Sequence, residues 1–475
     1  MAFCLIFIRG FGTNDQDRPP NVVFILVDDL GWTDLGYAGS TFFETPNIDK
    51  LAASGMVFTD AYAASPVCSP SRAAIMSGKY PARLNLTDWI PGNRHYGPHK
   101  NQQLASLPFK LQLDLEEYTM AEAFRNAGYK TFFAGKWHLG EEEKYYPLQQ
   151  GFELNKGGNK TGTPAGGYFA PYNNPQLEDG EEGEYLTDRL TDETTDFIKR
   201  NKDDPFFVFL SFYTVHLPMQ GKPEKVEKYR NKLSEMNYSG KEFIKKGDTY
   251  HKRRQNMPHY AAMVESMDEN AGRLLTVLEQ EKLDENTIIV FTSDNGGMAT
   301  SNRTGNIPTT NLPLRAGKGY LYEGGIRVPL IIRWPVKIKA GSTTDFPVTG
   351  TDFFPTLLDL AGLDENKEQH QDGISLKPLL EGGNMDERPL FWHYPHYSGG
   401  LGGRPSGAVR RGDYKLIEFF EDDSIELYNL HNDTAEKIEL AKTKPGKAKE
   451  LKQLLHNWRK DVRAEMPIPN PAYSQ

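Results

Sequence analysis

The residue with most chemistry to offer is Cys68, which opens the run Cys68, Ser69, Pro70, Ser71, Arg72. Pro70 suits the first turn of a helix and Ser69 its cap, so residues 73–76 are expected to be helical. Cys68 then stands just outside a helix N-terminus, where free backbone N–H groups and the dipole favour an anion. Arg72 adds a fixed positive charge in the first turn. Together they suit attack by Cys68 on a tetrahedral oxyanion group. A cysteine alone is by default a small buried hydrophobe, so the rest of the chain must decide its role.

Further polar residues fall at strand ends. Residues 22–27 form an unbroken apolar run, as in a strand buried on both faces, and run into Asp28 and Asp29. A strand at 130–134 leads to Lys136 and His138; one at 206–212 is followed by His216; one at 287–292 reaches Asp294 and Asn295. Ligands of open α/β sheets bind outside the carboxyl ends of the strands, so these side chains are expected on one edge. A lone strand-end Asp is more often a turn or cap; four such ends together are not. Asp28, Asp29, Asp294 and Asn295 offer only oxygen donors, which suits a hard cation, calcium first and magnesium as the alternative.

The elements that must position these residues alternate between apolar strands and amphipathic helices. The pattern predicts an α/β fold with a large, mixed, mostly parallel sheet flanked by helices. Thr119 and Glu122 form a capping box with Gly128 as the stop, and residues 259–281 carry Met263, Met267, Leu274 and Leu278 on one helical face. Residues 328–333 read as a further strand and 352–361 as a helix. Residues 155–184 read as a long surface loop, and the charged stretch 222–254 as a solvated helical excursion. Beyond residue 383 short strands at 390–394, 407–411, 414–419 and 425–428 precede a helix at 448–465. The expected organisation is therefore a leader or disordered N-terminus (1–20), a catalytic domain (21–383) and a small α+β subdomain (384–475).

With 475 residues and 38% hydrophobic content the chain can bury a sizeable core. Its net charge of −9 argues against non-specific nucleic-acid binding. No stretch approaches the ~20 apolar residues of a membrane span. Only Cys4 and Cys68 occur, so the body of the protein has no internal disulfide. The apolar run 2–8 is either the remnant of a secretory signal or an ordinary chain end.

CSPSR, followed by Met76, Ser77, Gly78, Lys79 and Tyr80, resembles the signature of the type I sulfatases of the alkaline-phosphatase-like superfamily. The resemblance extends through 21–29, 135–138, His216, 293–297 and the glycine-rich stretch 317–325, in the family's order. It implies that a separate maturation enzyme oxidises Cys68 to formylglycine, whose hydrate attacks sulfur. It also implies that Asp28, Asp29, Asp294, Asn295 and the modified Cys68 ligate the metal, and that Asp294 assists deprotonation of the attacking hydroxyl. Arg72 would stabilise that nucleophile, Lys136 and Lys318 hold sulfate oxygens, His216 with Lys318 protonate the leaving alcohol, and His138 deprotonate the second hydroxyl as sulfate is expelled.

The segment Trp392, His393, Tyr394, Pro395, His396, Tyr397 resembles bacterial carbohydrate sulfatases acting on galactose-type residues. His393, His396 and Arg404 are accordingly expected on the sugar side of the pocket. The partner implied is a sulfated oligosaccharide or polysaccharide fragment, attacked from its end at a 4-sulfated galactose or N-acetylgalactosamine, in the periplasm or outside the cell. Two other readings stay open: a phosphonate or phosphate monoester hydrolase of the same superfamily, separable by comparing aryl sulfate with aryl phosphate, and an inactive binder of sulfated glycans.

Overall fold

The computed structural model describes residues 18–91 and 100–474; of the expected leader, residues 1–17 lie outside them. Leaving aside the two-residue strands Ala61–Tyr62 and Leu104–Ala105, the chain gives in order β1 (Asn21–Val27), β2 (Met56–Phe58), β3 (Lys130–Gly135), β4 (Leu154–Lys156), β5 (Phe206–Ser211), β6 (Phe243–Lys246) and β7 (Thr249–Lys252). They are followed by β8 (Thr287–Ser293), β9 (Thr300–Ser301), β10 (Leu330–Arg333) and β11 (Ser342–Thr344). Eight of them form the main sheet, in the order β11–β2–β10–β8–β1–β5–β3–β4. From β8 to β4 all pairings are parallel, with Val27 opposite Ser293; β10 runs antiparallel to β8 and β2. The expected mixed, mostly parallel sheet is borne out.

β1 is buried along its whole length, and its side chains alternate between two cores. Val23, Ile25 and Val27 pack with the helices Pro46–Ser54, Leu186–Arg200, Pro223–Glu235 and Pro258–Gln280. Val22, Phe24 and Leu26 pack with Cys68–Ser77, Met120–Asn126 and Phe353–Ala361. Full burial of such side chains contributes ~1.5–3 kcal/mol each, which fixes the strand register and with it the polar ends. The Thr119–Glu122 capping box is formed.

A second sheet of β12 (Leu390–Tyr394), β13 (Ser406–Arg411), β14 (Tyr414–Phe419) and β15 (Ile425–Asn429) is antiparallel in sequence order. One face carries the helix Pro445–Asp461 through Leu451, Leu455 and Trp458. The other packs Trp392 and Tyr394 against Tyr62, Val67 and Ile326 of the larger part. Lys415 of β14 reinforces this contact: its ammonium, wholly buried, lies 2.8 Å from Glu323 Oε1 and 3.0 Å from Glu436 Oε1.

Two insertions differ from expectation. Residues 222–254 give one helix and then the β6–β7 hairpin, which pairs with β9. Residues 155–184 stay largely irregular, with 181–183 exposed as expected of a surface loop, but the loop is anchored inward: Tyr168 and Tyr172 are buried in the core, and four residues face the cavity described next.

Candidate active site

The strand ends converge. Gly135 closes β3 at φ 103°, and a Cβ there would stand 1.8 Å from the Ser211 carbonyl oxygen. Glycine alone lets β3 and β5 lie that close and turn Lys136 inward. Asp29 and His138 both hold left-handed backbone, at φ 62° and 59°. Non-glycine residues pay for that conformation in local strain and keep it where the surroundings over-determine it.

The charges are arranged as pairs. Lys136 Nζ donates to Asp28 Oδ2 at 2.7 Å, and Lys318 Nζ to Asp29 Oδ2 at 2.8 Å. His216 Nε2 is 3.5 Å from Asp29 Oδ2. Arg72 donates through Nε to Asp294 Oδ2 at 2.8 Å, and through a terminal nitrogen to the Lys136 carbonyl and Ser211 Oγ, both at 2.7 Å. Asn295 Nδ2 donates to Asp29 Oδ1 at 2.8 Å, and the Asp29 N–H to Asp294 Oδ1 at 3.2 Å. Apart from His216, which is partly exposed, these residues are buried.

Burial raises the Asp28 carboxyl, the neighbouring Lys136 notwithstanding. Asp29 is also buried, yet Lys318 and His216 hold it well below the usual carboxylate range. Lys318 is pushed upward by Asp29 against its own desolvation, so it keeps its proton. His216 is brought down to about 3 by burial and by Lys318. Burial and then Lys136 carry His138 well below its ordinary value. Both imidazoles are neutral near pH 7.

The donors fit a hard cation. Asp28 Oδ1 and Asn295 Oδ1 are buried and have no hydrogen-bond partner. Oxygens of Asp28 and Asp29 and a nitrogen of His216 lie within 4.8 Å of one another. Orphaned buried oxygens beside carboxylates are what an oxygen-coordinated metal would satisfy. Asp294 contributes a carboxylate already shared between Arg72 and the Asp29 amide.

Cys68 is the first residue of the helix Cys68–Ser77 rather than the residue before it, and all ten residues of that helix are buried. Ser69 does not cap: its hydroxyl accepts from the Ile90 N–H at 3.0 Å, tying the helix start to the neighbouring loop. Cys68 Sγ lies 3.4 Å from His138 Nδ1. His138 Nε2 bonds the Ile90 carbonyl; a carbonyl only accepts, so Nε2 bears the hydrogen and Nδ1 faces the sulfur bare. Cys68, His138, His216 and Lys318 line one cavity of about 720 Å³, within the ~300–1,000 Å³ of small-molecule sites.

The cavity's outer wall is not the one expected. His393 bonds the Glu465 carbonyl at 2.9 Å, His396 bonds Thr87 Oγ1 at 2.8 Å, and Arg404 lies over the Phe419 ring between Glu421 and Asp422. None of the three lines the cavity; Trp89, Lys160, Thr161, Tyr394 and Leu401 do. For His393 the reason is strand alternation: along β12, Trp392 and Tyr394 face the larger part of the chain, which turns His393 to the opposite side.

Sequence reasoning also missed Ser211, Tyr168 and Asn311. Ser211 ends β5 and could have been read by the same strand-end rule. Tyr168 donates to the Tyr213 and His216 carbonyls at 2.6 and 2.8 Å, and Asn311 donates to the carbonyls of Gly297, Ala316 and Gly324. These two brace the His216 and Lys318 loops from a distance in sequence that leaves no local signal.

Behind Tyr394 lies Asp88, whose Oδ1 accepts from the Trp89 N–H at 2.9 Å and from the Tyr394 hydroxyl at 3.1 Å. Burial raises it to about 8. The folded state therefore holds a proton that the unfolded state has lost, and this carboxyl's contribution to stability falls as pH rises from about 4 to about 8. Asp88→Asn keeps both accepting positions and loses the titration. Its thermal midpoint, measured against pH, is expected to gain on the parent's across that window; parallel curves would sink the assignment.

Two family models match the chain: one described as Sulfatase, over residues 20–363, and one described as N-sulphoglucosamine sulphohydrolase, C-terminal, over residues 316–464. Similar proteins include the N-acetylgalactosamine-6-sulfatase of Canis lupus familiaris, 32% identical, with 86% of this chain and 73% of the relative covered. A sulfatase of Formosa agariphila is 34% identical, with 91% and 86% covered. Among solved structures, Ps i-CgsB in complex with k-i-k-neocarrahexaose has a TM-score of 0.75 at 28% identity, covering 96% of this chain and 95% of that one. A protein solved with its substrate D-glucosamine-2-N,6-O-disulfate has a TM-score of 0.72 at 26% identity, covering 96% and 100%.

Proposed function

The chain belongs to the sulfatase family and is a sulfuric ester hydrolase, and from that premise we propose that it removes a 6-O-sulfate from the end of a sulfated glycan, at a galactose or N-acetylgalactosamine residue. Two similar proteins, an N-acetylgalactosamine-6-sulfatase and one solved with its substrate D-glucosamine-2-N,6-O-disulfate, support position 6 over the 4-sulfate expected from the sequence. The observation that carries the reading is Cys68 at the floor of the cavity, beside a bare imidazole nitrogen and within the same walls as Lys318 and His216.

Cys68, converted to formylglycine by a separate maturation enzyme, would supply the attacking oxygen. A divalent cation held by Asp28, Asp29, Asp294, Asn295 and the modified Cys68 would add positive charge at the sulfate oxygens. The oxygen donors of the four unmodified residues suit a hard cation, with calcium, which accepts such ligands in flexible geometry, the first choice and magnesium the alternative.

The chain's own residues supply the rest. A sulfate ester spreads negative charge over three oxygens in the transition state, and preorganised cations in a buried site stabilise it. Lys136 and Lys318 would hold those oxygens. Arg72, fixed by Asp294, Ser211 and the Lys136 carbonyl, would steady the nucleophile, with Asp294 accepting its proton. His138 Nδ1 would take a proton at the Cys68 position as sulfate is expelled. Lys318 keeps its proton and stands by the leaving oxygen with His216. The charge of an incoming sulfate offsets Lys318, which raises the affinity of His216 for the proton it would donate.

The test is the mass of the Cys68 peptide from active protein, taken with sulfate release from a panel of 4-O- and 6-O-sulfated sugars and from an aryl phosphate. An aldehyde mass and release from a 6-O-sulfated residue are expected. Release with an unmodified thiol would sink the nucleophile, preference for the 4-O-sulfate would sink the position, and faster turnover of the phosphate would favour the monoesterase reading.

A further inference from the structure

The cavity leaves unexplained the charged run at residues 241–254, which holds six lysines and arginines against two acids in a chain of net charge −9. In the structure this run is the β6–β7 hairpin and its flanks. Its strand β7 and residues 310–316 enclose a groove of about 460 Å³, lined by Lys246, Arg253 and Lys437. The groove continues past Arg253, Leu312 and Pro313 into a hollow of about 750 Å³ that adds Lys241 and Arg254. Lys241, Lys246, Arg253 and Lys437 are exposed.

The nearby acids leave these four cations unpaired: Glu242 faces Lys252, Glu426 faces Arg315, Glu436 holds Lys415, and Asp248, exposed in the hairpin turn, lines neither hollow. Among the described residues none of the four exposed cations has an ion-pair partner. Their field is felt locally, since burial together with Arg315 and Arg253 lowers Lys246, and burial with Lys246 and Arg315 lowers His251 to about 4. Leu312, 45% exposed beside Pro313, supplies an apolar strip along the same groove. A row of unneutralised cations next to an apolar strip matches a polymer that alternates anionic groups with the apolar faces of sugar rings.

The groove and the cavity share a wall. Ala299 lines the groove, while the next residue, Thr300, donates through its hydroxyl to the carbonyl of Leu401, which lines the cavity. The loop carrying residues 310–316 along the groove delivers Lys318 to the cavity two residues later.

We propose that this groove is a second binding site that holds a polysulfated glycan chain apart from the sulfate being cleaved. It rests on the substrate class proposed above, and it keeps the enzyme on one polymer between cleavages by raising the effective concentration of chain ends. The contacts lie in solvent, so binding weakens with salt.

The test combines Lys246→Ala, Arg253→Ala and Lys437→Ala in a Cys68→Ala background, where no turnover intrudes. Affinity electrophoresis through chondroitin 6-sulfate is compared with unsulfated chondroitin and with single-stranded DNA. The Cys68→Ala parent is expected to be retarded by the sulfated polymer alone, and the combined variant to bind it at least tenfold more weakly. With Cys68 restored, the three substitutions should leave 4-nitrophenyl sulfate turnover within twofold and raise KM for the polymer. Equal retardation of variant and parent, or equal retardation by DNA, overturns the proposal. Cation-dependent retardation in a protein that releases no sulfate would support the groove and overturn the reading of the cavity.

Discussion

Cys68→Ala is expected to abolish sulfate release, lowering the rate at least ~10³-fold, because a covalent route has no partial substitute once its nucleophile is gone. The same substitution should leave the fold intact. It removes one sulfur atom from the start of a helix, where alanine is the best helix former. The space it vacates adjoins the cavity, so little packing is lost. The cost to stability should stay near ~1 kcal/mol. Sulfate release measured by ion chromatography, beside a thermal melt, decides the matter. A variant that still turns over would remove Cys68 from the chemistry; one that fails to fold would show that the helix start, rather than the sulfur, was being tested.

The second large effect is on stability. Lys415→Met should cost ~3–5 kcal/mol, the usual penalty for stripping one partner from a buried ion pair. Glu323 and Glu436 are both fully enclosed; without the ammonium Glu323 keeps only the more distant Arg327, 3.7 Å away, and Glu436 loses its cation. Burial already raises Glu436 to about 7, Lys415 notwithstanding. Protons can therefore stand in for the missing cation in acid, and the loss should be smaller at pH 5.5 than at pH 8. Urea unfolding at the two pH values measures it, and Lys415→Met/Glu436→Gln should recover part of the loss at pH 8. A change below ~1 kcal/mol at pH 8 would show that the cluster relaxes into water.

Much of this architecture is legible from local pattern. β1 could be read because the six consecutive apolar residues 22–27 mark a strand buried on both faces, as it is, and Asp28, Asp29, His216, Asp294 and Asn295 follow from the rule that strand ends hold ligands. Failures came where the deciding force was not local. His393 and Tyr394 are neighbours of similar chemistry, and only the pairing of β12 with β13 and the packing of Trp392 on Tyr62 determine which faces the cavity. Ser69 looked like a cap but answers to Ile90, twenty-one positions away. Residues 155–184 have the composition of a loop, and it is Tyr168, buried under the His216 turn, that draws them into the site.

The complete burial of the helix Cys68–Ser77 has a consequence for timing. On the reading proposed for Cys68, another enzyme must grasp that residue together with its neighbours, yet once the chain is folded Ser69, Pro70, Ser71 and Arg72 all point into packed protein. Only an unfolded segment offers the pentapeptide as a handle. Conversion must therefore precede closure, and each newly made chain runs a race between being modified and folding shut. Chains that lose the race are well formed and permanently silent, so the specific activity of a preparation records the outcome of that contest as much as the quality of the site.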